Sequence, residues 1–271
     1  MKHERKTCIF VAQEIFALKI TFLGTGTSQG VPIIGCPCDI CQSTDLRDKR
    51  LRTSLLIETE TTTVVIDSGP DFRQQLLRAN VKKLDGLVFT HSHKDHVAGM
   101  DDIRAFNYLQ NKPVDVFATE FTQHILKREF EYVFNNTSYP GIPQINLHTI
   151  DKNNSIQIGD IILQPIEVMH YKMPVLGFRI NGFTYITDAN FIDESEFEKI
   201  KGSTCLVLNA LRREQHISHF TLAEAIVIAE AIQPQQTYFT HISHQLGFHE
   251  DVEAELPAGI NLAYDMLSIE V

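Results

Sequence analysis

The sequence predicts a layered α/β domain. Short, β-prone apolar runs alternate with helix-patterned stretches from about residue 18 onward. Two of the helical stretches open on a capping pattern, Asp193-x-x-Glu196 and Thr221-x-x-Glu224. No repeat or low-complexity linker divides the 271 residues, enough for one large domain. An apolar fraction of 43% with 21% charged residues is ordinary for a globular protein, so a packed core is expected.

Residues 1–17 are read as an N-terminal extension and residues 18–271 as the domain. The extension has a basic start and the run Ile9-Phe10-Val11-Ala12, but Gln13 and Glu14 interrupt it, so no secretory signal is read there. Residues 18–23 form a first strand that runs into the turn Gly24-Thr25-Gly26, where backbone can approach a ligand closely. Residues 53–59 and 62–67 pair as a hairpin, and 70–78 form a helix opened by Pro70. Leu87-Val88-Phe89 is a short buried strand. Residues 97–109 are expected as one helix, with Ile103, Phe106 and Leu109 on a shared face. A strand at 114–118 precedes a helix at 120–134, whose Phe121, Ile125 and Phe134 are expected in the core rather than along a substrate stripe. Several runs from 145 to 186 read as strands, and 193–201 and 221–232 read as helices.

The net charge of −10 argues against an extended nucleic-acid surface, which needs clustered Lys and Arg. It leaves room for a small anionic substrate, because divalent ions would dominate the local field. No apolar run reaches the ~20 residues that span a bilayer, so no membrane partner is expected.

The most informative segment is His91-Ser-His93-Lys-Asp95-His96, directly after the Leu87-Val88-Phe89 strand. His91 and His93 are two apart, so an extended chain points them the same way. Asp95 and His96 follow where the chain turns and can face a second position. Imidazole with carboxylate suits zinc, manganese or iron.

This H-x-H-x-D-H string resembles the signature of the metallo-β-lactamase-fold hydrolases. The resemblance implies a four-layer αββα sandwich and a pair of metal ions. It also implies three later ligands at strand ends: His170 after residues 161–170, Asp188 after 183–188, and His241 after Thr237-Tyr238-Phe239-Thr240.

Cys36-Pro-Cys38-Asp-Ile-Cys41 is too tightly spaced for disulfides, and the five cysteines are odd in number. Three thiolates so close suit a structural zinc, for which His244 offers a fourth ligand. Cys8 looks unrelated, and Cys205 reads as core. Free thiols fit a reducing, cytoplasmic location. The turn Gly24-Thr-Gly26-Thr-Ser-Gln29-Gly30-Val31-Pro32, the cysteine cluster and His241-Ile-Ser-His244-Gln245 together resemble the phosphoribosyl cyclic phosphodiesterases of the carbon–phosphorus lyase pathway. That resemblance implies the structural zinc at Cys36, Cys38, Cys41 and His244.

The resemblance also implies how the centre works. His91, His93 and His170 hold one divalent ion, Asp95, His96 and His241 the other, and Asp188 bridges them. The two zinc or manganese ions acidify a bridging water into the nucleophile. His219, just ahead of a helix N-terminus, contacts the substrate phosphate and protonates the leaving group. His216 competes with it from a weaker context, and His3, His124, His148 and His249 are read as surface or structural.

The expected activity is therefore hydrolysis of a small-molecule phosphodiester, such as a ribosyl cyclic phosphate. A tRNA 3′-processing-type endonuclease and a thioester or lactam hydrolase are alternatives of the same fold. A homodimer is left open.

Overall fold

The computed structural model describes residues 18–135 and 141–271. The expected extension at 1–17, with Cys8 and His3, lies outside them. The first sheet contains β1 (Lys19–Gly24), β2 (Ser54–Glu58), β3 (Thr63–Ile66), β4 (Gly86–Val88), β5 (Val114–Ala118) and β6 (Ile145–Thr149). The second contains β7 (Ile156–Ile158), β8 (Ile161–His170), β9 (Met173–Ile180), β10 (Phe183–Tyr185), β11 (Phe191–Ile192), β12 (Cys205–Asn209), β13 (Gln236–Thr240) and β14 (Ile260–Leu262). β15 (Ser268–Glu270) returns to the first sheet beside β1. The helices are α1 (Asp39–Gln42), α2 (Phe72–Arg78), α3 (Lys94–Val97), α4 (Arg104–Gln110), α5 (Glu120–Glu129), α6 (Glu131–Phe134), α7 (Glu194–Ile200), α8 (Leu222–Ile232) and α9 (His249–Glu255).

The strand orders are β15-β1-β2-β3-β4-β5-β6 and β11-β8-β9-β10-β12-β13-β14, with β7 on β8. Each sheet is antiparallel on one side and parallel on the other. The parallel strands β3 to β6 and β10, β12, β13 and β14 run toward one edge of the molecule. Side-chain alternation sorts the core into layers. Val64 and Ile66 of β3 face the second sheet, where Phe178, Tyr185 and Val207 meet them. Val65 between them faces the outer helices, with Phe72, Phe106 and Leu126. Leu206 and Leu208 of β12 face outward to Leu222, Ala225 and Ala229 of α8. Three hydrophobic layers between two sheets and two helical faces make the expected αββα sandwich.

Three expectations change in the structure. The single helix at 97–109 is instead α3, a 3₁₀ turn at Met100–Ile103 and α4. Gly99 explains the break: a Cβ there would lie 2.2 Å from the Gly69 carbonyl oxygen, so two backbones touch where a helix would need a side chain. Ile103 and Phe106 are buried as expected, but Leu109 is exposed.

The helix at 120–134 breaks at Phe130 into α5 and α6. Its core contacts are Leu126 and Phe130, whereas Ile125 and Phe134 are half-buried and Phe121 is 60% exposed. The capping box expected at Asp193 is only half made. Asp193 accepts from the Ser195 amide, but Glu196 turns away to accept from the Glu167 amide. The box at Thr221 and Glu224 is complete. Among the described residues no helix is long and apolar enough to cross a membrane.

Candidate metal centre

The seven expected ligands of the paired centre sit where strands of both sheets end. His91 and His93 lie just past β4, and α3 carries Asp95 and His96 on one helical turn. His170 ends β8, Asp188 lies three residues past β10, and His241 follows β13. Asp188 and His241 have left-handed backbone, φ 53° and 57°. Such conformations are costly outside glycine and persist where the surroundings impose them, often at functional sites.

The side chains converge. His91, His93 and His170 bring ligand atoms within 4.8 Å of one another, and so do Asp95, His96, Asp188 and His241. Asp188 also forms such a group with His170 and His219, so its carboxylate stands between the first two clusters. His93 is the exposed member, edge-on to His91 and His170 at 4.6 and 5.1 Å between ring centroids.

The outer nitrogens of the imidazoles are held from behind. His91 Nδ1 meets Thr90 Oγ1 at 3.0 Å, and His96 Nδ1 donates to Asp67 Oδ2 at 2.7 Å. His170 Nδ1 donates to the Ser218 carbonyl oxygen at 2.8 Å, and His241 Nε2 meets Thr27 Oγ1 at 3.2 Å. The opposite nitrogens are thereby turned toward the centre. His91 Nε2 and His96 Nε2 are buried there without a hydrogen-bond partner. Buried polar atoms are rarely left unpaired, and a divalent cation would satisfy these lone pairs. The donor set therefore fits a pair of borderline divalent ions.

The charges are arranged to match. Burial alone would raise the Asp188 carboxyl, but His241 and then His96 hold it well below the usual carboxylate range. Burial disfavours a charged His96, yet Asp188, Asp95 and Asp67 raise it well above the ordinary imidazole value. Burial pushes His91 well below that value. Carboxylates thus keep negative charge at the centre of a buried cluster.

Asp67, Thr90, Thr27 and Ser218 were not singled out from the sequence. Asp67 is fully buried, has φ 65°, and also accepts from the Thr90 amide and hydroxyl. Its only sequence signal was its place at the end of the 62–67 strand. Gly69 packs its backbone onto the Asp95 carbonyl, and the Ser68 amide donates to the His96 carbonyl oxygen at 2.7 Å. The turn carrying Asp67 is thus anchored to the helix carrying His96.

The second expected site also assembles. His244 Nδ1 lies 3.6, 3.2 and 3.6 Å from the Sγ atoms of Cys36, Cys38 and Cys41. A tetrahedral zinc with ordinary Zn–S and Zn–N bonds would separate such atoms by about 3.5 Å. The His244 hydrogen bond, foremost, lowers the Cys38 thiol to about 6, while burial raises Cys41 to about 11.

His219 reaches the paired centre as well. Its ring stacks on His241, with centroids 4.8 Å apart, and lies 4.6 Å from His170. Its Nδ1 is 3.9 Å from Asp188 Oδ1 and is otherwise unpartnered. Burial, then His241, lowers its value to about 2, so the imidazole is neutral. His216 stands one ring further out, 5.1 Å from His219.

Comparison with known proteins agrees with this geometry. A model of the β-lactamase superfamily domain matches residues 62–242, a span that contains all seven expected ligands. A crystal structure of a new diphosphatase from the PhnP family is 39% identical, with a TM-score of 0.88 over 94% of this chain and 97% of that one. An octanoyltransferase of Porphyromonas gingivalis is 37% identical over 92% of this chain but 51% of its own length. A ribonuclease Z of Staphylococcus epidermidis is 25% identical over 43% of this chain and 38% of its own length. The chain thus spans about half or less of the curated relatives it matches. Zinc-bound PqqB from Methylobacterium extorquens, 18% identical with a TM-score of 0.74 over 93% of this chain and all of that one, shares the fold. The chain belongs to the β-lactamase superfamily and has the metallo-β-lactamase fold.

Proposed function

We propose that this chain hydrolyses a phosphodiester of a small molecule at a paired divalent-metal centre. His91, His93 and His170 would hold one ion, Asp95, His96 and His241 the other, with Asp188 shared. The ions would be zinc or manganese, and Cys36, Cys38, Cys41 and His244 would hold a third, structural zinc. The observation that carries the reading is the position of Asp188, within 4.8 Å of ligand atoms from both clusters and beside the unpartnered nitrogen of His219. The 39% identity to a diphosphatase of the PhnP family supports phosphate chemistry.

When bound, the ions supply acidified water and neutralise phosphoryl oxygens. The chain supplies the rest. Thr90, Asp67, Ser218 and Thr27 hold the imidazoles in the required tautomers, so little reorganises during turnover. His219 offers a ring nitrogen to an incoming phosphate. The anion's charge favours protonation of that ring, which can then pass a proton to the leaving alkoxide. Asp95 and Asp188 keep the centre anionic enough to retain cations as substrate arrives. The three thiols support a reducing, cytoplasmic setting.

A substituted diphosphate is a second reading, favoured by the description of that same relative as a diphosphatase. RNA is disfavoured by the net charge of −10. The deciding experiment compares kcat/KM on a dialkyl-type phosphodiester, a ribosyl cyclic phosphate, a substituted diphosphate, precursor tRNA and a thioester. Phosphodiester or diphosphate turnover is expected. Thioester turnover with no phosphoester cleavage would contradict the reading.

A further inference from the structure

Beside the metal centre lies a cavity of about 1030 Å³ that reaches it through His93 and His170. Pockets for drug-sized ligands span roughly 300–1,000 Å³, so a bare sugar phosphate would leave most of this space unfilled. Most of its exposed wall is apolar, with charged and polar side chains among the lining. Ile150 and Leu176 are buried, while Phe121, Tyr171 and Ile217 are 60%, 49% and 65% exposed.

Three large apolar side chains, from α5, from the turn after β8 and from the loop before His219, therefore stand open around one space. Single exposed hydrophobics are ordinary, whereas a group that rims a cavity marks a binding site. Tyr171 directly follows His170 and lines the cavity from the two-residue β8–β9 hairpin turn, which holds it at φ 59°. Phe121 was expected in the core from its spacing, but it faces this cavity.

The charged side chains of the lining are Glu120, Asp151 and Glu167 against Lys152 and Lys172. Lys152 is paired with Glu167 at 2.7 Å, and Lys172 lies 5.2 Å from the Tyr171 ring centre. This balance does not favour a second phosphate or a nucleic-acid backbone.

We propose that the cavity receives the retained ester arm of the substrate, and that this arm is a flat, uncharged group of nucleobase size or larger. The inference rests on the phosphodiester reading above and names its substrate class. The arm is the retained one because the cavity meets the centre at His93 and His170, whereas His219, placed to protonate the leaving oxygen, is not among its lining residues.

The test uses metal-loaded protein and two diesters with the same p-nitrophenyl leaving group, one with a methyl arm and one with a 2-naphthylmethyl arm. The naphthylmethyl ester should have kcat/KM roughly 10–100-fold higher, the factor expected from burying an aromatic side chain. Phe121→Ala and Tyr171→Ala should each shrink that ratio. A variant that loses metal or fold lowers both rates and leaves the ratio alone. Calorimetry with naphthylmethylphosphonate and methylphosphonate reads the same preference without turnover.

Equal kcat/KM for the two esters, or equal phosphonate affinities, would overturn the cavity assignment and leave the phosphodiester reading standing. Faster cleavage of precursor tRNA than of the naphthylmethyl ester would also overturn it. Failure to hydrolyse either ester would remove the phosphodiester reading and this inference together.

Discussion

Asp67 Oδ2 lies 2.7 Å from His96 Nδ1, and both side chains are fully buried. A carboxylate can only accept, so His96 Nδ1 carries a proton and Nε2 is the nitrogen turned toward Asp95 and Asp188, each 3.2 Å away. A residue outside the expected ligand set therefore decides which nitrogen of His96 faces Asp95 and Asp188.

Asp67→Ala should lower metal affinity by about 10–100-fold, the usual effect of removing a partner that orients a ligand. Competition against a chelator of known affinity measures it. Unchanged affinity, with only a lower Tm, would show that Asp67 does no more than fill its buried position.

Cys38→Ser should cost stability more than chemistry. The cluster ties the loop at 36–41 to His244, and a loss of even about 2 kcal/mol lowers Tm by roughly 4–8 °C in a domain of this class. Tm and kcat on the same preparation check this. A large fall in kcat with no change in Tm would place the cluster's role in catalysis.

His219→Ala should lower kcat by roughly 10²–10⁴ on an alkyl leaving group, the span typical of a lost general acid. The loss should shrink with nitrophenolate, which hardly needs a proton. Equal losses on both would leave His219 as a phosphate contact alone.

Away from the metals, His249 couples stability to pH. Its Nδ1 lies 3.1 Å from Arg50 Nη2. Burial, then the Arg50 and Arg47 charges, lowers it from 6.5 to about 4, although Asp45 and Asp48 pull the other way. Between those values the unfolded chain binds the proton more readily. The contribution is thus complete above the unfolded value and is lost as pH falls through that window. The drop in Tm from about pH 7.5 to about pH 5 should be smaller in His249→Gln than in the parent. Loss of any bound metal would affect both proteins alike. Identical drops would clear His249.

The residues that converge on the centre were legible because each carries a local mark. His91, His93, Asp95 and His96 fall within one short string, and His170, Asp188 and His241 close β-prone runs. Asp67 also closes a β-prone run, but nothing in that run marks it as the partner of His96, which is brought to it by the packing of Gly69 on α3. Phe121 was misplaced because helical spacing reports a face and not what covers it. The helix at 97–109 was drawn too long because the contact between Gly99 and Gly69 joins residues far apart in sequence.

The central claim is that Asp188 sits between two metal ions. Anomalous diffraction from a crystal of metal-loaded protein tests it most directly. The account predicts two peaks roughly 3.5–4 Å apart flanking the Asp188 carboxylate, with a third among Cys36, Cys38, Cys41 and His244. A single peak at the paired centre, or a pair in which Asp188 contacts neither ion, would contradict it.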